Sequence, residues 1–273
     1  MSANEWPASS NHSISEMRSG FDIMRATVHA LLLRELKTRF GEYRLGYLWA
    51  PLEPAAHMAI LLLVLGFIVQ RAMPGMSFPV FLANGIVPYM MFRNISLRSL
   101  NAIEANRGLF NYRPVRPLDA VLARTLLESL TYALVYAMLM SCLWLAGETI
   151  QLGKLSLLIA AWLLLCLLSL AWGLICMVVG HAFKAVDKLL PILMKLLYFL
   201  SGILFPLSLI PVEYRWLVEW NPLLHAFELM RHAVMPAYPS NDDSLAYLSA
   251  WTLALLFSGL SLYKGREPAM LRS

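Results

Sequence analysis

The sequence predicts an all-α integral membrane protein: six transmembrane helices behind an N-terminal amphipathic interfacial helix, with a re-entrant helical lid between spans five and six. Three observations carry this. Of the 273 residues, 59% are hydrophobic and the mean hydropathy is +0.61, whereas a soluble domain is about 45–50% apolar. The apolar residues gather into runs suited to a hydrocarbon layer about 30 Å thick. The net charge of +5 is spread unevenly, with Arg and Lys concentrated in alternate loops, as expected of cytoplasmic segments.

Residues 1–20 are polar and form a cytoplasmic N-terminus; they lack the apolar stretch of a cleavable signal peptide. Over 21–45, Met24, Val28, Leu32, Leu36 and Phe40 recur every four residues, and Arg25, Arg34, Glu35, Lys37, Arg39 and Glu42 fill most of the rest. That pattern suits a helix lying in the headgroup layer; a helix packed on another element is the plainer alternative. The transmembrane domain occupies 46–263. Tyr47 and Trp49 suit the interface, and Pro51 and Pro54 suit the start of the first span, 52–70. Glu53 and His57, one turn apart, could pair and cap that start, or relay a proton.

The second span begins at Phe78. Asn94, Arg98 and Asn101 form one polar stripe on it, with Arg93 alongside. A charge at the bilayer centre costs roughly 3 kcal/mol or more, so these residues should face protein or a water-filled path. The third span, 120–146, carries Glu128, which could pair with Arg124 one turn earlier. The fourth, 155–179, is almost wholly apolar, and the fifth, 189–205, holds Pro191 and Lys195. Residues 206–235 are broken by Pro206, Pro211 and Pro222 into pieces too short to span. Two half-helices that dip in and return are expected there. A sixth span, 245–263, leads to a cytoplasmic tail, 264–273. Basic residues mark the N-terminal segment, the second-to-third turn (Arg107, Arg113, Arg116), the fourth-to-fifth turn and the tail as cytoplasmic. The opposite loops hold Arg71, Lys154, Arg215 and Arg231. Both termini therefore face the cytoplasm.

No nucleotide-binding glycine loop is present, and no HExxH, CxxC or GxSxG. The six histidines are scattered, and Cys142, Cys166 and Cys176 lie in apolar runs, so neither a metal site nor a disulfide framework is expected. The acids and histidine inside the spans, Glu53, His57 and Glu128, form no catalytic constellation. An intramembrane lipid-linked glycosyl- or acyltransferase is thus the weaker reading, and no catalytic residue or cofactor is assigned to the chain. What remains is cationic and aromatic lining. Arg93, Arg98 and Lys195 would attract a polyanion, and Tyr47, Trp49, Tyr89 and Phe92 would offer ring faces to sugar C–H groups. These seven are the candidate substrate-channel residues. For any one ring, packing or an interfacial belt is the plainer explanation.

Several stretches carry a family resemblance: 33–40 (LRELKTRF), 44–49 (RLGYLW), 103–119 (IEANRGLFNYRPVRPLD), Trp220-Asn-Pro222 and the terminal 269–273. The chain resembles the membrane subunits of ABC exporters of surface polysaccharide, and within them the KpsM-like capsule polysaccharide export permeases. The resemblance implies a homodimer in a Gram-negative inner membrane, carrying two copies of a cytoplasmic ABC ATPase that holds ATP and Mg. It implies a periplasmic adaptor, an outer-membrane exporter, and a lipid-linked, acidic polysaccharide as cargo, with membrane lipid around the chain and no nucleic acid. It implies that 21–45 is a gate helix, that 206–235 is the outer lid, and that 103–119 couples to the ATPase through Arg107, Phe110, Asn111, Tyr112, Arg113 and Arg116. A related exporter of O-antigen, teichoic acid or a small lipid is the alternative.

Overall fold

A computed structural model describes residues 20–40, 46–72, 75–109, 115–236, 238–239 and 244–272. Among them there is no strand. Ten α-helices follow in order: α1 (Gly20–Phe40), α2 (Gly46–Ala72), α3 (Phe78–Leu100), α4 (Ala102–Asn106), α5 (Pro117–Leu145), α6 (Leu155–Ala182), α7 (Val186–Leu200), α8 (Trp216–Glu219), α9 (Pro222–Val234) and α10 (Ser244–Arg272). Four of them, α2, α5, α6 and α10, are long and apolar enough to cross a membrane.

The helix starts follow local chemistry. Ser77 caps α3, its hydroxyl accepting from the Val80 N–H at 3.2 Å. Asp119 closes the first turn of α5 by accepting from the Arg116 N–H at 3.0 Å, behind Pro117 at the first helical position. Asn221 caps α9, accepting from the Leu223 N–H at 3.0 Å, again with proline next. Each device satisfies a backbone donor that a helix start otherwise leaves open, and the prolines sit where a missing N–H costs nothing.

The centre of the molecule is α3. It is buried on nearly every side from Phe78 to Phe92, against α2, α5, α6, α7 and α9. Small residues let the helices approach. A Cβ on Gly173 of α6 would lie 2.8 Å from the Ser99 hydroxyl of α3, and one on Gly259 of α10 would lie 2.9 Å from the Ala171 carbonyl of α6. By contrast α2 and α10 leave apolar faces bare: Leu63 is 80% exposed and Phe257 76%. Such faces belong against lipid or protein, not water.

Two regions depart from the sequence expectation. The fifth hydrophobic run is helical only to Leu200, not to Phe205; a turn follows, with Gly202 at φ 63°. At about 1.5 Å per residue α7 is roughly 22 Å long, short of the ~30 Å hydrocarbon layer. The proline-broken segment is not a pair of matched half-helices. It is two 3₁₀ turns (Leu207–Leu209 and Val212–Tyr214), the single turn α8, and one real helix, α9. Nor does α9 lie at a wet boundary. Of its residues only Pro222 and His232 escape burial.

Helix α1 packs on the start of α5, where Leu31 meets Ala120 and Ala123. Leu31 is its one fully buried residue among those described. Residues 1–19 and 41–45 lie outside the described residues, as does the end of the expected 21–45 helix.

Candidate functional site

A cavity of about 810 Å³ opens between α2, α3 and α7. Helix α2 contributes Trp49, Glu53, His57 and Ile60, α3 contributes Tyr89, Met90 and Arg93, and α7 contributes Lys195, Tyr198 and Phe199. The spacings explain why these residues share a wall. Glu53 and His57, and Tyr89 and Arg93, are each four apart, so each pair projects from one face of its helix.

The aromatic floor is tied together. Tyr89 donates its hydroxyl proton to the Met194 carbonyl, joining α3 to α7. Its ring meets Tyr198 edge-on at 5.2 Å, and Tyr198 meets Phe199 edge-on at 5.5 Å. The Tyr198 hydroxyl lies 2.8 Å from Nε2 of His57. Charge sits above this floor. Arg93 Nη1 is 3.9 Å from Glu53 Oε1, with both side chains about two-fifths exposed (41% and 43%). Lys195 is exposed and has no ion-pair partner among the described residues. Trp49 stands 67% exposed at the rim. Glu53 and His57 therefore do not pair with each other as the sequence suggested. Each reaches across the cavity, Glu53 to α3 and His57 to α7.

Four of the seven predicted channel residues meet here: Trp49, Tyr89, Arg93 and Lys195. Tyr47 lies in α2, outside the residues whose side chains are described. Phe92 and Arg98 point elsewhere. Phe92 is buried and lines a separate apolar crevice of about 150 Å³ with Trp172, Leu193, Leu197 and Trp251.

Arg98 belongs to a part-buried ion network. Its Nε lies 3.1 Å from Glu128 Oε1, and its Nη1 lies 3.5 Å from Glu35 Oε1. The Arg124 Nε donates to the same Glu35 oxygen at 3.0 Å, and its Nη1 donates to the Arg98 carbonyl. So Glu128 pairs with Arg98 across helices. The reason lies in the face each residue occupies. Asn94 and Arg98 of α3 lie opposite Tyr132 and Glu128 of α5, and the Asn94 amide donates to the Tyr132 hydroxyl at 2.7 Å. Helix α5 packs over Asn94 and Arg98, with α1 supplying Glu35, while Asn101 at the end of the stripe stays exposed. Arg34 extends the tie to α4, donating to Asn106 Oδ1 at 2.8 Å.

A second charged cluster was not legible as such. Arg231, expected among the outer-loop cations, is fully buried on α9. It stands 3.5 Å over the Phe81 ring and 3.3 Å from Glu228 Oε1, which also accepts from the Tyr238 hydroxyl at 2.5 Å. Gly85 makes the room, since a Cβ there would lie 2.9 Å from Arg231 Nη2. The available signal was the Glu228/Arg231 spacing of three inside an otherwise apolar helical run. His225 and His232 are apart and separately hydrogen-bonded, to Ser244 and Glu219 and to Tyr238 and Lys154. Among the described residues no group of three His, Cys, Asp or Glu side chains could hold a metal ion.

On the second-to-third turn, α4 is followed by a 3₁₀ turn, Arg107–Leu109, and both Arg107 and Arg116 are exposed. Phe110, Asn111, Tyr112 and Arg113 lie outside the described residues. Lys184, from the α6–α7 turn, hydrogen-bonds Glu104 of α4. That bond and the ammonium charge hold the Glu104 carboxyl below its ordinary range, and the same contact raises Lys184.

A family model described as "ABC-2 type transporter" matches residues 26–235. The chain is 55% identical over 256 residues to the polysialic acid transport protein KpsM of Escherichia coli, covering 94% of this chain and 99% of that protein. It is 30% identical over 250 residues to the capsule polysaccharide export inner-membrane protein BexB of Haemophilus influenzae, 90% of this chain and 94% of that one. An O-antigen export system permease protein, RfbA of Klebsiella pneumoniae, is more distant at 23% over 241 residues, 84% of this chain and 88% of that one.

Proposed function

The chain belongs to the ABC-2 type transporter membrane family, and on that premise we propose that it is the inner-membrane permease subunit of an ATP-driven exporter of acidic capsule polysaccharide. Relatives named for polysialic acid transport and capsule polysaccharide export support the cargo class. The observation that carries the reading is the cavity itself: Arg93 and Lys195 beside the rings of Trp49, Tyr198 and Phe199. Cations in a low-dielectric wall attract a polyanion. Ring faces give a sliding glycan weak contacts that do not depend on register.

The mechanism follows from what α3 joins. Helices α2, α3, α5, α6 and α10, together with α7 extended by the turn to Phe205, serve as the six spans, and both termini are cytoplasmic. Two copies of the chain stand side by side, and the bare face of α2 with its cavity walls the path between them. A separate ATPase, holding ATP and Mg, docks against the turn from α4 to Arg116, with Phe110, Asn111, Tyr112 and Arg113 in the contact. Closure of the ATPase pair displaces that turn. The Arg34–Asn106 bond and the Glu35–Arg98–Glu128 network then carry the displacement into α1, α3 and α5. In this scheme α1 gates the cytoplasmic mouth, and α9 with its preceding turns forms the outer lid. A periplasmic adaptor and an outer-membrane exporter receive a lipid-linked chain.

Deleting the gene and staining separately for polymer at the cell surface and inside the cell tests this reading. Polymer absent outside and accumulating inside is the expected result. Polymer absent from both places would assign the chain to synthesis instead. If the cargo is acidic, Arg93→Gln with Lys195→Gln abolishes export from a complex that still assembles; undiminished export would mark a neutral cargo.

A further inference from the structure

We propose that Glu53 is the built-in counter-ion of the conduit: in the empty chain its carboxylate occupies the place on Arg93 that a sugar carboxylate takes when polymer is present. The proposal rests on the conduit reading above and deepens it, because it names the acid group recognised and the residue that sets how firmly it is held.

The geometry of the pair is that of an exchangeable contact. The Arg93–Glu53 separation is 3.9 Å, and each side chain is about two-fifths exposed. On the same helix, Arg98 holds Glu128 at 3.1 Å with the carboxylate wholly buried. The first pair is open to solvent on the cavity wall, where exposed ion pairs contribute little to stability. In the second the acid is enclosed. A guanidinium presents a planar fork that accepts any carboxylate in the same way. Replacing the Glu53 carboxylate by one on a sugar ring therefore exchanges like for like, and Arg93 need not be stripped of a partner on either side of the exchange. Exposed Trp49 and Phe199 offer ring faces at the same wall, and Lys195 supplies a second cation.

The charge balance gives the acid its purpose. Arg93 and Lys195 alone would present two uncompensated cations to a polyanion; Glu53 reduces the cavity to one. A path must hold its cargo firmly enough to admit it and weakly enough to let it leave. Glu53 competes with each arriving acid group and returns to Arg93 as that group moves on, so the polymer is never held by both cations at full strength.

The test uses the permease assembled with its ATPase in lipid nanodiscs, and two labelled probes followed by fluorescence anisotropy: a short sialic acid oligomer and a neutral dextran oligomer of equal length. Glu53→Gln is expected to tighten binding of the acidic oligomer about fivefold, the upper range for an exposed pair, with the gain shrinking as salt is raised. It should leave dextran binding unchanged and slow ATP-driven release. Glu53→Asp keeps the charge and should bind as the parent does; a shift in E53D equal to that in E53Q would assign the effect to shape and overturn the proposal. Arg93→Gln should weaken binding of the acidic oligomer. If it does so while E53Q binds as the parent does or more weakly, the counter-ion proposal fails and the conduit stands. If neither variant alters binding, the conduit reading fails and the proposal falls with it.

Discussion

Arg93 and Arg98 lie five residues apart on α3, yet they occupy opposite electrical settings. At about 100° per residue the two side chains point roughly 140° apart. Arg93 faces an open cavity and meets a half-exposed acid loosely. Arg98 faces α5 and α1 and, though 36% exposed itself, is held by a fully buried Glu128 and a mostly buried Glu35. One arginine is available to a passing anion and the other is committed to holding three helices together. The contrast teaches that an intramembrane charge is not by itself a transport residue. Which of the two it is depends on whether the neighbouring helix closes over it.

The strongest challenge to that distinction comes from the charge most completely enclosed. Glu228→Gln should cost about 3–5 kcal/mol, because it strands the buried Arg231; thermal unfolding of the purified complex measures it. A stability loss under 1 kcal/mol would mean that burial does not define the structural class. Arg98→Gln comes next. It should cost about 2 kcal/mol, less than the full penalty for a buried pair because Arg98 is itself 36% exposed. It should also loosen α1, read as faster hydrogen exchange over 24–36 without change in α10. The third variant sharpens the contrast from the other side. Arg93→Gln should alter stability by less than about 1 kcal/mol while export falls, a separation that neither Arg98 nor Arg231 should show.

The smallest effect belongs to Glu104 and Lys184, whose side chains are both largely exposed. Because Glu104 is shifted down, its contribution is present above the ordinary carboxylate pKa near 4 and is lost as the pH falls through the shifted value. Lys184 is shifted up, so its share is complete below its ordinary value and is lost only as the pH rises past the raised one. Across neutral pH the pair is constant. Lys184→Ala should therefore match the parent in a melting profile at physiological salt, and a slight difference at low salt should shrink as the pH falls below about 4 and vanish only below the lowered Glu104 value. A large effect at physiological salt would place this contact among the enclosed ones.

Much of the architecture was legible because it depends on local rules. The long apolar helices and the proline breaks after the fifth run can be read from neighbouring residues, but Pro51 and Pro54, expected at a helix start, lie inside α2, which begins at Gly46. The gathering of Trp49, Tyr89, Arg93 and Lys195 could be read too, since a sparse set of rings and cations in apolar runs has few uses. The errors concern pairing between elements. Helical spacing alone points Glu128 to Arg124, and gives no sign of Arg98 on α3, which it meets at 3.1 Å. Glu53 was matched with His57 for the same reason, although both cross the cavity. Arg231 reads as a loop charge because the proline-broken pieces are too short to span, and its placement depends on Gly85 and Phe81 of another helix.

The sequence by itself determined that this is a helical membrane protein of the ABC-2 exporter type. Apolar run length, charge asymmetry and a few conspicuous motifs are properties of consecutive residues. Only the tertiary structure decided which charges are used and which are enclosed. A guanidinium is costly in hydrocarbon wherever it lies, so the sequence marks each one equally. What offsets the cost, whether an acid from a distant helix, an aromatic face or an open path, exists only once the helices have packed.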